Sequence, residues 1–113
     1  MLGRGEAQKS APAATPWRFE RRPAGFEQTM HDVMQDRSGA RVEHFLFSDG
    51  LSSYSIYIES GAQDGLEGVT RVGAAHAAGR RLGAYRATAV GEVPAAAVEA
   101  AVAGVSLEPE AAK

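Results

Sequence analysis

The chain has 113 residues, a net charge of -2 and no cysteine, a length that suits one compact domain and leaves no room for two ordinary ones. Twelve basic against fourteen acidic residues leave no electrostatic footprint for nucleic acid or an anionic membrane, and the missing thiols exclude a disulfide framework, a thiol nucleophile and a thiolate metal site. The 44% hydrophobic fraction includes 22 alanines, so the core is thin and a neighbouring domain or partner is expected to cover part of it.

In chain order, residues 1–16 mix Gly, Ala, Pro, Ser and charge without apolar periodicity and read as disordered linker or appended residues. Neither they nor any later stretch supplies a signal peptide or the ~18 to 20 apolar residues of a membrane span. A domain over residues 17–107 and a polar tail over 108–113 follow. Trp17 starts a short strand that runs into the turn Pro23-Ala24-Gly25. Residues 26–35 fit either pattern: Phe26, Met30, Val33 and Met34 suit a helix, whereas Thr29, His31 and Val33 alternate as in a strand.

The strongest local signal lies in residues 41–59, two runs rich in β-branched and aromatic residues around Asp49-Gly50. The dipeptide predicts a hairpin with a two-residue turn, Phe47 facing Ser52 and Phe45 facing Tyr54. Alternation puts Phe45, Phe47, Tyr54, Ile56 and Ile58 on a core face with Glu43 as its only charge. Val42, His44, Leu46, Ser53, Ser55 and Tyr57 then share the other, half-apolar face.

After a Gly-rich loop, a second strand pair is predicted over 72–81 and 85–93 around Leu82-Gly83-Ala84, although Ala74-Ala75-His76-Ala77-Ala78 favours a helix on propensity alone. Residues 65–73 read as a loop, having several glycines but no phosphate-binding spacing. Pro94 opens the clearest helix, with Ala95, Val98, Ala101, Val102 and Val105 at three- and four-residue steps and Gly104 as its stop. The expected fold class is α+β: an antiparallel sheet of about four to six strands with a C-terminal helix packed on one face.

Chemistry-bearing constellations are sparse. His31, His44 and His76 lie in separate segments without metal-ligand spacing, no G-x-S-x-G elbow occurs, and Glu43 and Glu59 sit at different levels of the hairpin, unlike a pair of catalytic acids. No catalytic, metal or cofactor site is predicted. Arg80, Arg81 and Arg86 form a basic cluster suited to a carboxylate or phosphate, or else a solvated strand face that guards against aggregation.

Four stretches in register resemble the C-terminal domain of the MucB/RseB family. They are an entry Trp with Pro23-Ala24-Gly25-Phe26, the hairpin Val42-Glu43-His44-Phe45-Leu46-Phe47-Ser48-Asp49-Gly50-Leu51-Ser52, the segment from Gly73 through His76 and Arg80-Arg81-Leu82-Gly83 to Tyr85, and Thr88-Ala89-Val90-Gly91-Glu92-Val93-Pro94. Ala84 departs from the pattern, which has an acidic residue before the tyrosine. The resemblance tips residues 26–35 toward a strand. It implies a non-enzymatic periplasmic protein-binding domain that accompanies a larger lipoprotein-carrier-like N-terminal domain, of which this chain would be a fragment. It also implies that the pair binds the periplasmic part of a membrane anti-sigma factor and shields it from proteolysis. Within that expectation Leu46, Tyr57, Arg80 and Arg81 are the candidate partner-binding residues, since an apolar stripe with tyrosine and arginine has the composition of interface hot spots. A small lipid- or ligand-binding lobe and a self-associating structural module are the alternatives.

Overall fold

A computed structural model describes residues 15–61 and 65–107. The linker expected over 1–16 and the tail over 108–113 lie outside the described residues, save for Thr15 and Pro16. The elements are β1 (Trp17–Phe19), β2 (Glu27–Gln35), β3 (Arg41–Ser48), β4 (Ser53–Ser60), β5 (Gly68–Val72), β6 (Ala75–Leu82), β7 (Tyr85–Gly91), α1 (Ala95–Ala103) and β8 (Val105–Leu107). Six strands form one antiparallel sheet in the order β2-β3-β4-β7-β6-β5, and β1 pairs with β8 in a separate two-stranded ribbon. The fold class is the expected one, and the ambiguous segment 26–35 resolves as a strand from Glu27 to Gln35.

The β3–β4 hairpin differs from expectation in register. Phe47 pairs with Tyr54 and Phe45 with Ile56, so the connection has four residues, Asp49 to Ser52, rather than two. The cause is Asp49, whose Oδ1 accepts the backbone N–H groups of Leu51 at 2.9 Å and Ser52 at 2.7 Å, closing an Asx-type loop that outcompetes the tight turn. Gly50 still supplies the left-handed position, at φ 94°. The shift is two residues, so the pleat leaves each side chain on its expected face.

Phe45, Phe47, Tyr54, Ile56 and Ile58 are accordingly buried to 2% exposure or less, each contributing roughly 1.5 to 3 kcal/mol. The cross-strand pair Phe47–Tyr54 stacks at 5.1 Å between centroids. Burial pushes the Tyr54 phenol up to about 12 against the pull of Arg22, and its hydroxyl has no hydrogen-bond partner among the described residues. Ala87 and Ala89 of β7 and Ala78 of β6 continue the face at 1% exposure or less. Their small side chains let α1 lie close on the sheet through Val98, Ala101 and Val102. The ribbon closes the rest of this face, with Phe19 against Phe45 and Phe47 and Trp17 edge-on to Tyr85.

Two strands depart from expectation. The stretch 65–73 is not all loop, because β5 occupies Gly68–Val72 at the sheet edge, and every one of its residues is exposed, so no alternation announces it. Val105 belongs to β8 and not to the helix, since Gly104 ends α1 one residue earlier. The second strand pair begins at Ala75 instead of residue 72 and ends at Gly91 instead of residue 93. Pairing with β5 and β7 on either side holds the alanine-rich β6 extended, against its local preference for helix.

Candidate functional site

The face of the sheet opposite α1 is built by simple parity. One row of paired positions reads Asp32, His44, Tyr57, Thr88 and Gly79; the row beside it reads Met30, Leu46, Ser55, Val90 and Ala77; a third reads Met34, Val42, Glu59, Arg86 and Arg81. Leu46, Tyr57 and Arg81 therefore share this face. Arg80 does not, which corrects its expected placement beside Arg81, because neighbouring strand residues point to opposite faces. The Arg80 Nη1 donates to the carbonyls of Val102 at 3.1 Å and Ala103 at 2.6 Å. Its charge thus meets the C-terminal end of α1, where carbonyls are unpaired and the helix dipole is negative.

On the open face, the His44 ring lies flat on Tyr57, 4.5 Å between centroids and 7° between planes. Its Nε2 is 2.8 Å from Ser55 Oγ. Burial lowers the His44 pKa below the ordinary 6.5, with the Asp32 carboxylate acting in the opposite direction. Burial thus favours the neutral form of the histidine, which lies as a flat extension of the tyrosine. Together they present an aromatic surface beside the half-buried Leu46, with the exposed Arg81 farther across the same face.

A strap borders this surface. The segment 65–67 crosses over Gly79, where a Cβ would stand 2.3 Å from the Leu66 carbonyl oxygen; only glycine admits the backbone there. Arg86, 4% exposed, fastens the strap: Nη1 donates to the Leu66 carbonyl at 2.7 Å and Nη2 pairs with Glu67 Oε2 at 3.0 Å. The basic cluster read from the sequence is therefore divided between the two faces, Arg80 serving the end of α1 and Arg86 the strap. Sequence reasoning set His44 on this face without naming it a partner-binding candidate, and read the strap only as loop; the glycine at position 79 within a strand was the available signal for the strap.

A shallow cavity of about 370 Å³ lies at the hairpin end of the sheet, between Ser53, Ser55 and Glu92, where Leu51 projects 97% exposed. No group of three or more His, Asp or Glu side chains arranged to hold a metal ion occurs among the described residues.

The architecture defines a class: a small α+β domain in which one helix and a terminal ribbon close one face of a six-stranded antiparallel sheet. The chain belongs to the MucB/RseB C-terminal domain family, whose model matches residues 11–106. No curated protein matches the chain. Among solved structures it is similar to MucB in the MucA/MucB complex of Pseudomonas aeruginosa, with 25% identity and a TM-score of 0.71 over 93% of this chain and 41% of that one. It is also similar to MucB determined by itself, at 26% identity and a TM-score of 0.59, over 94% and 40% of the two chains. MucB in a complex with MucA(peri) shares the fold, at 24% identity and a TM-score of 0.70, over 94% and 44%. The chain thus spans less than half the length of each of these proteins.

Proposed function

We propose that this domain is the smaller part of a periplasmic negative regulator of an envelope-stress sigma factor. In this reading it contacts the periplasmic part of a membrane anti-sigma factor, together with a larger N-terminal domain, and shields that factor from proteolysis by binding alone, without catalysis. The observation that carries the reading is the family match over residues 11–106, supported by a fold shared with MucB in its complexes with MucA. The contact surface is the open sheet face. The stacked His44–Tyr57 pair offers flat apolar area at low entropic cost, Leu46 adds an aliphatic contact, and Arg81 adds exposed positive charge on the same face. Arg80 is left out, being committed to the end of α1.

The test is binding of the anti-sigma periplasmic segment by this chain and by the two-domain protein, side by side, with Tyr57→Ala and Arg81→Ala introduced into each. Weakened capture by a domain that remains folded is expected; undiminished capture in both proteins refutes this surface. Binding only by the pair would place the contact in a groove shared with the larger domain.

A further inference from the structure

At the opposite end of the sheet, on the face that carries α1, a cavity of about 390 Å³ is lined by Pro16, Trp17, Arg41, Glu43, Ile58, Ser60 and Tyr85. That volume falls in the ~300 to 1,000 Å³ range of ligand sites. Its base holds a charge. Glu43 is 6% exposed, and burying a carboxylate is costly unless something compensates it. Compensation comes mainly from below and behind: Oε1 lies 2.8 Å from His31 Nε2 and accepts the Thr15 hydroxyl at 3.3 Å, while the His31 ring is fixed by stacking on Phe45 at 4.4 Å. The second oxygen, Oε2, meets Arg41 Nε at 3.7 Å, an ion-pair distance too long for a hydrogen bond. The Arg41 side chain is 62% exposed, so solvent screens its hold on Glu43. Trp17 and Tyr85 supply aromatic walls in edge-to-face contact, with centroids 5.0 Å apart. A fixed carboxylate in a cavity that also has an aromatic wall, beside a loosely held surface cation, is complementary to a positively charged organic group.

We propose that this cavity binds a single organic cation, a guanidinium or alkylammonium group, that displaces Arg41 from Glu43 and lies against the cavity wall formed by Trp17 and Tyr85. Arg41 is the exchangeable occupant of the mouth. His31 and Thr15 are positioning residues that keep the carboxylate aimed outward. The inference is independent of the partner surface on the opposite face. One chemistry has two sources here, a free polyamine or the arginine side chain of a protein segment.

Trp17 is the only tryptophan of the chain, so its fluorescence reports on the wall of this cavity. The full chain is titrated with agmatine and with a blocked Gly-Arg-Gly peptide, each to about 10 mM, well above the millimolar affinity of a single weak contact. The matching citrulline peptide serves as the uncharged control. A saturable change with either cation and none with citrulline is expected. Response to agmatine alone assigns a soluble amine, response to the peptide alone a protein side chain, and both responses support the proposal. Glu43→Gln should weaken binding at least about tenfold, as loss of a charge-assisted contact does. Because Glu43→Gln disturbs a buried pair, Arg41→Gln provides the independent arm: removing the exposed competitor should tighten binding about two- to fivefold. No saturable response, an equal response to citrulline, or weaker cation binding by Arg41→Gln overturns the proposal.

Discussion

Gly79→Ala tests whether the strap is held by its carbonyl contact with Arg86. The new Cβ would stand 2.3 Å from the Leu66 oxygen and 3.0 Å from its carbonyl carbon, so the strap must retreat by about 1 Å to reach ordinary contact distance. The same oxygen accepts from Arg86 Nη1 at 2.7 Å, and a displacement of that size takes the pair beyond hydrogen-bonding range. A guanidinium only 4% exposed then loses an acceptor, a loss of about 1.5 to 3 kcal/mol for a charged donor. Replacing glycine in a strand returns about 0.5 to 1 kcal/mol. The net expectation is a destabilisation of roughly 1 to 2 kcal/mol, or about 5 to 15 °C in melting temperature for a domain of this size. Thermal and urea unfolding measure the total, and hydrogen exchange at Leu66 and Glu67 measures the local opening. In an Arg86→Leu background the same substitution should cost much less, since the shared contact is already gone. A melting temperature equal to or above that of the parent chain, or strictly additive losses, would refute the reasoning.

Two further outcomes follow from single contacts. Arg80→Met keeps the apolar stem but removes the donors to Val102 and Ala103; a loss of about 1 to 2 kcal/mol is expected, with faster exchange in the last turn of α1, and unchanged exchange there would show the helix end to be held by other means. His44 has a folded-state pKa lowered by burial, so the unfolded chain takes up the proton first. The stabilisation from neutral His44 is complete above the ordinary value of 6.5 and is lost as pH falls through the folded pKa. Urea midpoints measured from about pH 7.5 to about pH 5 should decline more steeply in the parent than in His44→Gln, and parallel curves would contradict the assignment.

The division of the hairpin into two faces was legible because period-two alternation survives any shift of two residues, including the one that Asp49 imposes. The pairing partners were not legible: they depend on side-chain hydrogen bonds inside the loop, which an Asp-Gly dipeptide permits in more than one form. β5 escaped notice for the opposite reason, since a wholly exposed edge strand carries no burial pattern. Arg80 shows a different limit. Strand parity separates it from Arg81, but its partner, the end of α1, becomes visible only once the helix is laid across the sheet. The open face was legible as half-apolar, whereas the stacking of His44 on Tyr57 and the fastening of the strap by Arg86 rest on contacts between segments far apart in sequence.

The ribbon of β1 and β8 sets Trp17 directly across from Leu107, so the two ends of the described domain leave at one point. Tension applied between flanking segments would unzip this three-residue pair one rung at a time instead of shearing it, making it the mechanically weakest seam of the fold. Trp17, the first rung, is also a wall of the Glu43 cavity. A pull on either flank would therefore disturb that cavity before it reached the six-stranded sheet, while an occupant seated there would brace the seam against opening.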